Sequence, residues 1–272
     1  MKKSFVLLGF LCLSVLGFSQ APDTIKINYL NRIPFSFTEG GTSKGIEIEI
    51  LTEYVNWLKA KKNSNIVVRY TDYNDYDTFL AETKQAGKKC IGLGSITITQ
   101  DMLKEIDFST GYLKDVSFCI TNGNAPDVKT KTKDEMLRTF GSMTALTIEN
   151  TSYQKFVAEM KKQFVPDLKV SLYTNEKKIL DDISKNVLYF GYVDAIGFWY
   201  YLKTNPGKFL KMQKTLNQSK EELGFLMPKG SPHKALFNEF FSGPGGFKTT
   251  PAYRAILEKN LGSYMAQNVA IN

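Results

Sequence analysis

The order of the predicted strands and helices is the feature that most constrains the fold of this chain. Apolar, β-branched runs at residues 25–30, 66–70 and 90–94 predict three strands. Between them, helical spacing over residues 50–58 and a capped helix after Asp75 predict two helices. This β-α-β-α-β order predicts a mainly parallel sheet with helices on both faces.

The same order occurs a second time, without the sequence similarity of a repeat. Residues 142–148, 168–172 and 188–193 predict strands, and two stripes of apolar residues at helical spacing lie between them. One strand at residues 224–227 and two amphipathic helices follow. We therefore predict an α/β fold with two lobes, each a mainly parallel sheet flanked by helices. The carboxyl ends of both sheets should border one ligand-binding cleft.

The lobes are expected to be discontinuous in sequence. Residues 22–117 together with residues 222–272 should form lobe 1, and residues 118–221 should form lobe 2. The chain would then cross between the lobes near residues 117–121 and 215–222, and these crossings are the expected hinge.

The first nineteen residues have the pattern of a secretory signal peptide. Lys2 and Lys3 precede an apolar run over residues 5–18, which is too short to span a bilayer and ends at Ser19. We expect cleavage near this point and a periplasmic protein. An uncleaved membrane anchor is the alternative.

Charge and composition argue against several classes of function. The formal net charge is +8, but the lysines are scattered, and no basic stripe with interleaved aromatic residues suggests nucleic-acid binding. One histidine, His233, and the scattered Cys90 and Cys119 make no metal-ligand set, so neither a metal nor another cofactor is expected. Cys90 and Cys119 could form a disulfide after export or remain buried thiols.

Five segments, in order along the chain, resemble family 3 of the bacterial extracellular solute-binding proteins. The most specific is GSITITQDMLKEIDFS at residues 94–109, followed by Tyr112. The others are residues 34–50 (PFSF, then GIEIEI), 150–152 (NTS), 189–202 (YFGYVD, then YYL) and 223–231 (LGFLMPKGS). The resemblance implies the two-lobed type II periplasmic binding fold and a monomer that captures a small polar ligand. An inner-membrane transporter or a sensor would be its partner.

The resemblance also implies roles for particular residues. Ser95 and Thr97 match hydroxyl groups that bind the ligand, and Thr151 and Ser152 match a helix N-terminus that holds its carboxylate. Asp194 matches the acceptor of its ammonium group. Each has a structural alternative: a local turn for the first pair, a capping box for the second and a helix N-cap for Asp194.

Four further residues are predicted at the cleft. Tyr29, Asn31 and Arg32 fall in the first cleft loop, and Tyr76 falls where the family has an aromatic residue stacked on the ligand. Tyr76 also begins an apolar helical stripe, so a core position is equally compatible with the pattern.

One departure from the family concerns the ligand. Met102 occupies the position of the arginine that pairs with the ligand carboxylate, which is the strongest directional contact of such a site. Either Arg32 supplies the cation instead, or the ligand lacks an α-carboxylate and Met102 packs against it. The second account predicts that standard L-amino acids do not bind tightly.

Two rival functions fit the same fold. The first is an elimination enzyme, in which Asp194 would be the base and Tyr29 the acid. The second is a ligand-sensing domain for a membrane receptor.

Overall fold

The computed structural model describes residues 23–62, 65–149, 151–242 and 245–271. The predicted signal peptide, residues 1–19, and Asn150 of the NTS segment lie outside these ranges. Among the described residues, no helix has both the length and the apolar character needed to cross a bilayer.

The described chain alternates between strands and helices. The strands are β1 (Asp23–Leu30), β2 (Phe37–Glu39), β3 (Thr42–Lys44), β4 (Ile66–Tyr73), β5 (Cys90–Thr97), β6 (Asp107–Phe108), β7 (Leu113–Asn122), β8 (Thr144–Ile148), β9 (Lys169–Tyr173), β10 (Tyr189–Asp194), β11 (Leu210–Met212) and β12 (Gln218–Met227). The helices are α1 (Ile46–Lys62), α2 (Tyr76–Gln85), α3 (Met102–Glu105), α4 (Lys133–Phe140), α5 (Ser152–Gln163), α6 (Glu176–Lys185), α7 (Ala195–Thr204), α8 (His233–Ser242) and α9 (Pro251–Val269).

Both predicted parallel units are present, which confirms the α/β fold. Strands β4, β1 and β5 are mutually parallel, and so are β10, β8 and β9. The two sets belong to one ten-stranded sheet with the main order β4-β1-β5-β12-β7-β10-β8-β9. Each parallel set brings the ends of its strands, and the loops that follow them, to one edge.

Two long strands, β7 and β12, join the parallel sets through antiparallel pairing. Strand β12 also pairs with β5, and β7 also pairs with β10. The sequence predicted only residues 224–227 of β12 as strand. Its first half is rich in polar residues, and long-range pairing rather than local apolar pattern makes it a strand.

Apolar side chains pack in both halves of the sheet. In the first half, Tyr54 of α1 stacks on Phe237 of α8 with ring centroids 3.9 Å apart, and its hydroxyl hydrogen-bonds with Nδ1 of His233 at 2.7 Å. In the second half, Phe140 of α4 packs on Phe190 of β10. Helix α4 lies beyond the polar stretch 122–133 and was not predicted, because its apolar stripe is only two turns long.

The two cysteines are free, buried thiols in strands β5 and β7. Burial raises the pKa of Cys90 to about 11, and it also raises that of Cys119. Of the two alternatives open from the sequence, the structure therefore has the unpaired thiols.

A tight turn after β1 sets the position of Arg32. The Ile33–Pro34 peptide bond is cis, and the backbone of Arg32 pairs with that of Ser36. Gly45 then allows the chain to enter α1 directly against this turn: its φ is +114°, and a Cβ there would lie 2.3 Å from the carbonyl oxygen of Phe35.

We therefore expect Gly45→Ala to destabilise the protein by about 2 kcal/mol or more, because the added methyl group meets backbone and requires a strained φ. Gly87→Ala is the matched control, since nothing lies within 4 Å of its Cβ position. Chemical denaturation of both variants checks this. Equal stability of the two variants would contradict the steric argument.

Candidate functional site

A polar cavity of about 250 Å³ lies between the two parallel units. Its polar and charged lining side chains come from both halves of the sheet and from β7 between them: Arg32, Ser95, Thr97, Asp115, Tyr153, Glu176 and Asp194. Larger cavities occur elsewhere, for example between α1 and the segment after α8, but their residues come from one side of the molecule only. The cavity between the units is therefore the candidate ligand site.

Arg32 lies on the lobe 1 side of the cavity. Its Nη1 donates to Ser95 Oγ at 3.0 Å and to the Gly94 carbonyl oxygen at 3.4 Å. Within the described residues the guanidinium forms no ion pair, although its charge favours the ionised forms of Asp115 and Asp194. It is therefore a cation available to a ligand.

The backbone of Ser95 is fixed by a buried carboxylate, that of Glu47. Ser95 has a φ of +50°, in the left-handed region, and its N–H donates to Glu47 Oε1 at 2.9 Å. Glu47 is fully buried at the start of α1 and also accepts from the Tyr112 hydroxyl at 2.6 Å and from Ser36 Oγ at 3.0 Å. Burial raises the pKa of Glu47, and these hydrogen bonds oppose the shift.

Thr97 and Asp115 form a second polar pair. Thr97 Oγ1 donates to Asp115 Oδ2 at 2.8 Å, joining the end of β5 to β7. Desolvation raises the pKa of Asp115. The sequence did not single out Asp115, because β7 was not recognised as a long strand bordering the cleft.

On the lobe 2 side, Asp194 begins helix α7. Its Oδ1 accepts from the Gly197 N–H at 2.6 Å, so the predicted N-cap is present, and the same residue lines the cavity. Desolvation, followed by the charge of Glu176, raises the pKa of Asp194 to about 7.

Glu176, in the first turn of α6, is the hydrogen-bond partner of Asp194 and was not predicted from the sequence as a site residue. Its Oε1 accepts from the Asp194 backbone N–H at 3.2 Å, and it also hydrogen-bonds with the Tyr153 hydroxyl. A Cβ on Gly197 would lie 2.8 Å from Glu176 Oε2 and 3.3 Å from Asp194 Oδ1. Because residue 197 is glycine, there is room for both carboxylates beside the N-terminus of α7.

Two residues predicted in the first cleft loop have other partners. Tyr29 is only 3% exposed, and its hydroxyl hydrogen-bonds with Thr38 Oγ1 at 2.5 Å and accepts from Ser43 Oγ at 3.0 Å. Asn31 donates to Asp72 Oδ2 at 3.2 Å and to Asn74 Oδ1 at 2.9 Å. Neither lines the cavity, because both tie the β1 loop to its neighbours.

Met102 also lies away from the cavity. It packs at the start of α3 against the apolar cluster that contains Phe79 and Ile106, and it borders a separate surface cavity. The account in which its thioether contacts the ligand therefore has no geometric support, whereas Arg32 is at the cavity.

The remaining predicted residues lie beside the cavity rather than in its wall. Tyr76 is 40% exposed at the start of α2, close enough for the charge of Arg32 to influence its pKa. Thr151 caps α5 by accepting from the Gln154 N–H at 3.4 Å, and Ser152 is the first residue of that helix. The next residue, Tyr153, is the one that lines the cavity.

Within the described ranges, no group of three or more His, Cys, Asp or Glu side chains is arranged to hold a metal ion.

Comparison with solved structures identifies the architecture. The L-cystine solute receptor of Neisseria gonorrhoeae, in its unliganded open conformation, superimposes with a TM-score of 0.68 at 16% identity, covering 92% of this chain and 96% of the receptor. Substrate-binding domain 2 of Lactococcus lactis GlnP, also open, gives 0.64 at 16% identity, covering 88% and 95%. The chain has the two-lobed type II periplasmic binding fold.

The same fold also includes a catalyst. An ancestral cyclohexadienyl dehydratase superimposes with a TM-score of 0.55 at 21% identity, covering 88% of this chain and 92% of that protein. No protein-family model and no curated protein matches the sequence. The resemblance noted in the sequence is therefore confirmed as a likeness of fold.

The raised pKa of Asp194 predicts a pH-dependent stability of the ligand-free protein. The folded state holds this proton more tightly than the unfolded state, so stability should fall as the pH rises from about 4 to about 7. Asp194→Asn keeps the N-cap acceptor and removes the charge, so it should flatten this slope and stabilise the protein at pH 8 by on the order of 2 kcal/mol. Thermal unfolding across this pH range measures both effects.

The control is Asp101→Asn, which removes an exposed carboxylate outside the cavity. It should leave the slope unchanged. An unchanged slope in Asp194→Asn as well would show that this carboxyl does not titrate as described.

The buried network predicts a large cost for removing Glu47. Glu47→Ala leaves the Ser95 N–H and the Tyr112 hydroxyl without their acceptor, which should cost about 3 kcal/mol or more in the free energy of unfolding. Glu49→Ala, in the same helical turn, removes a partly exposed pairing with Lys259 and a hydrogen bond from Asn260, and it should cost about 1 kcal/mol or less. Similar losses in urea denaturation would refute a special role for Glu47.

Proposed function

We propose that the chain is an exported solute-binding protein that captures a small polar ligand between its lobes and presents it to a membrane transporter. The observation that carries the proposal is the cavity itself. Arg32, Ser95 and Thr97 line one side of it, and Tyr153, Glu176 and Asp194 line the other. A ligand that contacts both sides would bind most tightly when they approach each other.

Closure would follow from this difference in contacts. Contacts from both lobes exist only in the closed form, so ligand binding shifts the population toward it. Strands β7 and β12, which pass between the halves of the sheet, are the proposed hinge, with lobe 1 formed by residues 22–117 and 222–272 and lobe 2 by residues 118–221. A few residues in such crossings can absorb the rotation.

The proposed setting is the periplasm. The N-terminal pattern supports export, and the fold is shared with a solute receptor and a substrate-binding domain. The closed monomer would be recognised by an inner-membrane transporter, and nucleic acid is not a proposed partner. A sensor in place of a transporter would use the same closure.

An enzyme is the second candidate, and two observations favour it. Asp194 has a raised pKa beside the second carboxylate, Glu176, which is a common arrangement for acid–base chemistry. The fold is also that of an ancestral dehydratase. Tyr29, which the sequence suggested as the acid, is buried away from the cavity, so Tyr153 would be the better-placed hydroxyl.

Closure can be measured with labels on the two lobes. Asp77→Cys in α2 and Lys155→Cys in α5 place exposed thiols on opposite sides of the cleft, while the native Cys90 and Cys119 are buried. We expect the distance between labels, measured by paramagnetic resonance, to shorten when the protein is mixed with a metabolite extract from its host. The pair Lys59→Cys and Asp77→Cys, both on lobe 1, should not change.

Mass spectrometry of the retained compound then separates binding from catalysis. A solute-binding protein should hold one unchanged molecule per chain. Conversion of that compound over many turnovers would favour the enzyme, and an unchanged distance in every extract would contradict capture by closure.

A further inference from the structure

The charges in the cavity point to the class of ligand. We infer that the site selects a small ligand of net positive charge that carries two protonated amines. The inference rests on the proposed function.

The charges in the cavity wall do not balance. Among its described lining residues, Arg32 is the one cation, against the three carboxylates Asp115, Glu176 and Asp194. The wall is therefore acidic in a chain whose formal net charge is +8. A neutral or anionic ligand would leave this excess uncompensated in a partly desolvated cleft.

The hydrogen-bond partners of these carboxylates are all neutral. Asp115 accepts from Thr97, Asp194 from the Gly197 N–H, and Glu176 from the Asp194 N–H and the Tyr153 hydroxyl. Within the described residues none of the three forms an ion pair. Carboxylates elsewhere, such as Asp107 and Asp181, pair with lysines. The three cavity carboxylates thus have no ion-pair partner among the described residues. A cationic ligand could supply one.

A helix N-terminus, such as that of α7, ordinarily attracts an anion. Here the protein fills that position itself: Asp194 caps the helix, and Glu176 lies beside it on the Asp194 N–H. At this end of the cavity, a ligand consequently meets hydrogen-bond acceptors rather than donors. A protonated amine fits it, and a carboxylate does not.

The carboxylates of the cavity repel one another. Asp194 faces the carboxylates of Glu176 and Asp115, the hydroxyl of Tyr153 and, as the single cation, Arg32. A bound ammonium group would relieve this repulsion, and so it should displace the proton that the raised pKa of Asp194 retains near neutral pH. Affinity for a cation should therefore increase from pH 5.5 to pH 7.5.

Three compounds of similar length test the inference by isothermal titration calorimetry. L-Lysine carries two amines and a carboxylate, L-norleucine lacks the terminal amine, and 1,5-diaminopentane lacks the carboxylate. We expect L-lysine or 1,5-diaminopentane to bind at least about tenfold more tightly than L-norleucine at pH 7.5, a difference of about 1.4 kcal/mol. Equal or tighter binding of L-norleucine, or no binding of either diamine-bearing probe below about 1 mM, overturns the inference.

The comparison of the two cationic probes identifies the role of Arg32. If L-lysine binds more tightly, its carboxylate pairs with Arg32, and Arg32→Gln should remove that advantage. If 1,5-diaminopentane binds more tightly, Arg32 repels it, and Arg32→Gln should strengthen its binding. Either result supports a cationic ligand. The order of the two affinities shows whether that ligand also carries a carboxylate.

Variants of the acidic wall provide the matched test. Asp115→Asn and Glu176→Gln should each weaken binding of the tighter cationic probe about tenfold, and the loss should be smaller for L-norleucine, which carries a single amine. Asp101→Asn, outside the cavity, should change neither, and thermal unfolding of each variant verifies that it folds. Unchanged affinity in both cavity variants would overturn the assignment.

Failure of this inference is distinguishable from failure of the proposed function. A neutral or anionic compound that closes the labelled lobes would preserve the solute-binding role and refute the cationic ligand. Absence of closure with any host extract would refute the solute-binding role itself.

Discussion

The lobe 1 wall of the cavity depends on one buried carboxylate that has no cationic partner among the residues that the structure describes. A buried carboxyl group is costly unless hydrogen bonds replace its water. Glu47 receives them from Ser36, Ser95 and Tyr112, which belong to three different segments. Because each donor must be in place at once, the β1 turn, the end of β5 and the start of β7 are held in one arrangement. Ser95 can then keep its left-handed backbone and hold Arg32 at the cavity.

The two sides of the cavity differ in chemistry for a structural reason. On the lobe 1 side, the donors of Ser36, Ser95 and Tyr112 point inward to the buried carboxylate of Glu47. The guanidinium of Arg32 instead faces the cavity. On the lobe 2 side, the first turn of α6 and the N-cap of α7 place Glu176 and Asp194 beside each other. Asp115 on the connecting strand β7 adds to the acidic side. A ligand that bridges the lobes therefore meets one cation on one side and several acceptors on the other.

Local features of the fold could be predicted from the sequence, and long-range ones could not. The parallel strands and the N-caps at Asp75 and Asp194 depend on nearby residues, and the structure contains them. The antiparallel pairing of β7 with β12 joins residues about a hundred positions apart, which no local pattern encodes. The site shows the same division. Asp194 was recognised from a motif, whereas Glu176 and Asp115 become site residues only because tertiary packing brings α6 and β7 to the cleft.

The same distinction explains why Met102 does not settle the ligand. A motif records which sequence position carries a charge, while a ligand responds to where that charge lies in space, and Arg32 brings a cation to the cavity from another loop. The overall charge of +8 is an equally poor guide to the ligand. At physiological ionic strength, charges beyond about 8 Å are largely screened when they are exposed to solvent. Most lysines are on that exposed surface, whereas the carboxylates in the cleft are partly desolvated and act at close range. The local excess of negative charge should therefore dominate the selection of the ligand.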